Sequence, residues 1–158
     1  MIGLVRLAVF ASMLMLGRPI FAEDSNSITL AEAKVIAEGA QSAALTKDAQ
    51  VSIVIVNREG RVVLAQRMDE TSFTSLDVAE GKAVAAATLG MPSAAIQNAI
   101  DGGMLSLLTV KGLVAIAGGL PILRDERVVG GIGVSGSSPT NDESFARAGL
   151  EAGTSLAE

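Results

Sequence analysis

Tight turns between β-branched runs are what most constrain the fold of this 158-residue chain. Val51 to Val56 is a nearly continuous β-branched run, the mark of a strand covered on both faces. Asn57-Arg58-Glu59-Gly60 is a turn sequence, with Gly60 free to take positive φ, and Arg61 to Met68 reads as the returning strand. Further along, Leu113 to Ala117 reads as a strand. Gly118-Gly119-Leu120-Pro121 breaks the chain direction, and another strand follows through Leu123 or Arg124. Asp125-Glu126 is a hairpin turn, and Arg127 to Ser135 is the strand after it. Strands grouped by tight turns favour an antiparallel sheet over alternating βαβ units.

Helices flank and separate these groups. Thr29-Leu30-Ala31-Glu32 fits a capping box that opens a helix over 30–45. Ser75 is read as the cap of a helix through Leu76 to Leu89, whose later part, Ala83 to Ala87, is small and apolar all round and therefore buried. Pro92 starts a short helix to Ile100, and a last helix covers about 142–153. Leu105 to Lys111 carries no clear signal.

Composition narrows the chemistry more than any motif does. The chain has no His and no Cys. That removes the commonest metal ligands, the usual haem axial ligands, the Ser-His and Cys-His nucleophile systems and any disulfide. Its formal net charge is −5, which does not favour nucleic acid or anionic membranes. Before Ala22, Arg6 precedes an apolar run from Leu7 to Leu16 that Gly17-Arg18-Pro19 interrupts. This pattern fits a cleavable secretory signal over 1–22, followed by one domain over 23–158 and a periplasmic or secreted address. The run is too short to span a bilayer, which takes about 20 residues.

Among the motifs, Gly131-Ile-Gly133-Val-Ser-Gly136 is a literal G-x-G-x-x-G, but no helix opens at it and no later strand carries an acid. It reads instead as a strand whose glycines admit a closely packed helix. Lys82 has no acid three or four residues away on its helix: those positions hold Val78, Ala79, Ala85 and Ala86. It must reach solvent, find a tertiary partner or face a ligand. Arg67, Met68 and Asp69 close a strand and enter a polar loop. Met68, Met91 and Met104 suit an apolar ligand or a gap in the core. Asp142 and Glu143 suit the N-terminal dipole of the last helix.

Taken in order, several segments resemble the GlcG/HbpS-like family of haem-degrading or haem-binding domains: Leu30 to Lys34, Val51 to Val56 with Gly60, Gln66 to Asp69, Gly81 to Ala87, Gly118 to Ile122, Val129 to Gly136, and Asp142 to Ala146. The resemblance covers nearly all of residues 28–153. It implies an α+β, profilin-like three-layer α/β/α domain with a five-stranded antiparallel sheet. It also implies a homo-oligomer, tetramer or octamer, and a haem or tetrapyrrole ligand. Without a His, haem would be held by a Met, a Lys or apolar contact alone.

The expectation is an exported, non-enzymatic small-ligand-binding protein, with a membrane sensor as a further partner. Its pocket is predicted at Arg67, Met68, Lys82, Gly118, Gly119 and Pro121, with no bound metal. One alternative is an enzyme acting on a small organic acid or aromatic metabolite, with Lys82 or Asp69 as the acid-base group. Another is a structural or signalling subunit without a ligand.

Overall fold

The computed structural model describes residues 27–154, so the export segment over 1–22 lies outside the described residues. The elements in chain order are α1 (Leu30–Leu45), β1 (Ser52–Asn57), β2 (Val62–Arg67), α2 (Phe73–Leu89), α3 (Ser93–Asp101), a 3-10 turn (Leu105–Thr109), β3 (Gly119–Arg124), β4 (Arg127–Ser135) and α4 (Pro139–Thr154). The strands form one antiparallel sheet in the order β2-β1-β4-β3. Helices cover both faces. Ile53 and Ile55 of β1 pack with α1 and α4, whereas Val54 and Val56 pack with α2. Strand β1 is buried on both sides, as its β-branched run predicts.

The α+β class and the antiparallel sheet stand, but the described sheet has four strands, not five. The stretch expected as a strand at 113–117 is irregular. Its backbone groups find partners off the ladder: Val114 N donates to Gly81 O, and Ile116 O accepts from the Ser93 hydroxyl. The chain joins the sheet only at Gly119, immediately after Gly118 at φ 123. Two helix starts also shift. Helix α2 begins at Phe73 because Ser72, not Ser75, accepts the Ser75 amide; the Ser75 hydroxyl is bonded to Ser52 of β1 instead. Helix α4 begins at Pro139, a residue suited to a first turn, with the Ser138 hydroxyl accepting from Asn141 N. Helix α1 opens on the capping box read from Thr29 and Glu32.

The closest packing lies between α2 and β4. A Cβ at Gly133 would collide with the carbonyl of Ala79, and one at Gly131 would lie 2.5 Å from the carbonyl oxygen of Ala83. The helix backbone therefore rests on the strand backbone, with only Ala79, Ala83 and Ala87 between them. Lys82, on the same helix, is 1 % exposed. Its Nζ donates to Asp142 Oδ2 at 2.9 Å and to Val134 O at 2.8 Å. Asp142 Oδ1 accepts from Ser137 N at 3.0 Å. This ion pair joins α2, on one face of the sheet, to α4, on the other.

A buried ion pair is costly to break from one side, because the remaining charge loses its partner while staying out of water. Lys82→Met and Asp142→Ala are each expected to cost about 3–5 kcal/mol in urea unfolding. The double variant should cost clearly less than the two singles together, by about 1 kcal/mol or more. Additive costs would show that the pair is not coupled.

Candidate functional site

The six residues predicted to share a pocket fall in three places. Lys82, Gly118 and Gly119 lie together in the interior. A Cβ at Gly118 would come within 2.8 Å of Lys82 Nζ, and one at Gly119 would strike the Lys82 carbonyl. Gly119 N donates to Ser93 Oγ at 2.8 Å. The two glycines thus wrap the Lys82–Asp142 pair, and all four residues are buried. Of the three fates open to Lys82 in the sequence, the structure shows the tertiary partner.

Arg67 and Met68 sit at the end of β2, on the opposite edge of the sheet from β3. Arg67 Nη1 donates to the carbonyls of Met68, Asp69 and Thr71, and the guanidinium lies 4.4 Å from the centre of the Phe73 ring. Its role here is to hold the loop that leads into α2. Met68 is buried, and its Sδ accepts from Val51 N at 3.4 Å. Asp69 is exposed on this loop, apart from the enclosed Lys82. The two candidate acid-base groups therefore do not share a site.

Arg67 and Met68 line a small, mainly polar cleft together with Gln41, Gln50, Gln66 and Asp69, whereas Pro121 lines an apolar one. A cleft of about 290 Å³ runs between the start of α1, the end of α4 and strand β3. Its wall is apolar: Ile28, Ile36, Pro121, Ile122, Val129 and Leu150. Local sequence builds it in three ways. Ile28 N bonds to Val129 O at 3.0 Å, laying the chain's entry against β4. Proline, which has no amide to donate, is tolerated because β3 is an edge strand. Gly153 leaves α4 without a side chain where a Cβ would lie 2.7 Å from Ile36 Cγ1.

Glu32 and Arg124 also line the cleft and form an ion pair. Glu32 Oε2 accepts from Thr29 N at 2.8 Å and from the Thr29 hydroxyl at 2.7 Å. Burial acts to raise the Glu32 pKa. The Thr29 bonds and the Arg124 guanidinium outweigh it and hold the carboxyl below its ordinary value. An apolar hollow with one cation and one anion can orient an amphiphilic molecule through its polar end. Sequence reasoning missed this site apart from Pro121. Glu32 was legible only as a helix cap, and Arg124 only as a strand end.

The groups that would hold a haem iron are not free at the cleft. The chain has no His or Cys, Met68 Sδ is engaged with Val51 N, and Lys82 Nζ is engaged with Asp142. Among the described residues no three His, Cys, Asp or Glu side chains group as metal ligands. The donor set therefore does not fit conventional axial ligation.

Comparison with known proteins gives a consistent assignment. The family model described as "Haem degrading protein HbpS-like" matches residues 28–151. An uncharacterised 15.0 kDa protein from the dhaT-dhaS intergenic region of Citrobacter freundii is 33 % identical over 129 residues, covering 79 % of this chain and 91 % of the relative. The crystal structure of Klebsiella pneumoniae protein ORFY superposes with a TM-score of 0.77 at 32 % identity, covering 82 % of this chain and 92 % of that one. That of HbpS gives 0.76 at 32 % identity, covering 79 % and 89 %. The resemblance seen in the ordered sequence segments is borne out: the chain belongs to the HbpS-like family.

Proposed function

We propose that this protein is an exported, non-enzymatic binding subunit that works as a homo-oligomer and takes a flat apolar ligand bearing an acidic group, with haem or another tetrapyrrole as the leading candidate. The observation that carries this reading is the apolar cleft with Arg124 beside its apolar wall. Membership of a family described as haem-degrading supports the tetrapyrrole. The sequence pattern over 1–22 supports export. Lys82 and Asp142 are spent on each other, and Asp69 stands on an exposed loop, which favours binding over acid-base catalysis.

In this reading the ligand is held by apolar contact with Ile36, Ile122 and Leu150 and by the Arg124 guanidinium. No step runs through a bound iron, because the cleft offers no conventional ligand for it. At about 290 Å³ the cleft sits at the small end of ligand sites, which run from about 300 to 1,000 Å³. It would enclose one edge of a macrocycle and leave the rest outside.

Titration of the purified protein with haem at micromolar concentration is expected to give a saturable Soret shift without the spectrum of imidazole ligation. Arg124→Gln should weaken the affinity about 10-fold, the effect of losing one charge-assisted hydrogen bond. The absence of a saturable shift would end the haem version. An unchanged affinity in Arg124→Gln would remove Arg124 from the site.

The lowered Glu32 pKa makes a separate prediction about stability. A carboxyl with a folded value below its unfolded one stabilises the fold above the unfolded value, here about 4.5, and loses that contribution as pH falls through the lower folded value. The wild-type advantage over Glu32→Gln should be constant from neutral pH down to about 5.5 and shrink below about 4.5. The Glu32 side chain is 36 % exposed, so screening limits the effect to about 0.5–1 kcal/mol. An advantage that grows on acidification would contradict the assignment.

A further inference from the structure

The capping box that opens α1 makes one contact more than a cap requires. Such a box is complete when one side-chain oxygen at the third helical position reaches back to the N-cap amide, and Gln serves there as well as Glu. Here Glu32 Oε2 alone completes it. That oxygen accepts from Thr29 N at 2.8 Å and from the Thr29 hydroxyl at 2.7 Å. The same hydroxyl accepts from Glu32 N at 3.2 Å, so both its donor and an acceptor site are spent on one residue. The other carboxylate oxygen, Oε1, accepts from Arg124 Nη2. A Gln at this position would cap the helix but present no charge to Arg124.

Arg124 gains from being held. It ends β3, on the edge of the sheet, and its partner across the hairpin is Arg127, a residue of the same charge. Its side chain is 35 % exposed. Ion pairs at such positions are ordinarily loose, because two long side chains must be ordered to make them. Here one of the two is already ordered, since Thr29 fixes the Glu32 carboxylate with two donors. A guanidinium is a rigid planar fork of five N–H donors, so fixing one nitrogen limits where the rest can point. Glu32 and Arg124 line the cleft, whereas Thr29 stands outside its lining.

We infer that Thr29 is a positioning residue for the ligand: through Glu32 it holds the Arg124 guanidinium beside the apolar wall, where it meets a ligand carboxylate. The inference rests on the proposed reading of the cleft and extends it, because it places a determinant of affinity outside the cleft. A ligand that meets a prearranged guanidinium does not have to order that side chain itself, and ordering a long side chain on binding weakens affinity. The start of α1 is in this way part of the binding apparatus as well as a helix cap.

Soret titration with haem, in the Arg124 and Arg124→Gln backgrounds, tests this. Thr29→Val keeps the shape of the side chain but loses the hydroxyl, and should weaken affinity about 5-fold. Thr29→Ser keeps the hydroxyl and should bind as the wild type does. Thr29→Asp still caps the helix but cannot donate to Glu32 Oε2. It should weaken affinity at least as much as Thr29→Val, although its cap is intact. In Arg124→Gln none of these changes should have a further effect, because no guanidinium is left to position. Damage to the helix alone would act equally in both backgrounds. Unchanged affinity in Thr29→Val and Thr29→Asp, or a loss that persists in Arg124→Gln, overturns this inference and leaves the reading of the cleft standing. A wild type without a saturable shift, or with an affinity indifferent to Arg124→Gln, overturns that reading and this inference with it.

Discussion

The contact on which the rest of the structure depends is the bare seam between α2 and β4. At Gly131 and Gly133 the strand presents no side chain, so the helix settles onto its backbone. Any residue with a Cβ there would lift α2 off the sheet. Close approach in turn demands small residues on the helix, which is why Ala79, Ala83 and Ala87 line the contact. It also leaves Lys82 no path to water. A buried ammonium needs a partner, and Asp142 supplies one from the helix layer on the far side of the sheet. Gly118 and Gly119 are then required where the chain passes the pair, because a side chain at either place would meet Lys82. One steric condition thus propagates through four elements.

The same chain of causes separates structure from function. Glycines and a lone lysine in an apolar helix resemble a ligand site in sequence, since both a ligand and a packed helix need open backbone and a charge in the right place. Here the packed helix takes that role. The interior cluster is closed, and the cleft with an apolar wall lies elsewhere, between α1, α4 and the edge strand β3. Its cation comes from Arg124, at the end of a hairpin strand, and its anion from a helix cap.

What the sequence made legible follows from range. The Thr29–Glu32 cap, the β1 run, the Asp125-Glu126 turn and the end of α2 at Leu89 are set by neighbours within a few residues, and each stands in the structure. The glycine-rich run at 131–136 was legible as a strand admitting a helix, because no helix follows directly to make it a nucleotide loop. The failures are long-range. Lys82 and Asp142 are 60 positions apart, so the acid looked like a dipole partner of its own helix. Leu113 to Ala117 has strand composition, yet Gly81 and Ser93 take its backbone bonds before a ladder can. Glu32 and Arg124 are 92 positions apart, and nothing local marks either as part of a cleft.

The lack of histidine changes what selects a ligand here. Axial ligation chooses a metal, and a site that ligates iron discriminates haem from its metal-free analogue through that bond. A cleft of aliphatic walls with one guanidinium chooses shape and charge instead, and an iron-free tetrapyrrole offers the same edge and the same carboxylates. For the proposed tetrapyrrole, such a cleft favours recognition of the macrocycle's periphery over its centre. A binding surface this small gains from repetition: several clefts in one oligomer raise avidity without any new contact at each. In the proposed reading, assembly and weak capture would be two parts of one design, joined by a fold whose interior is too tightly packed to hold the ligand itself.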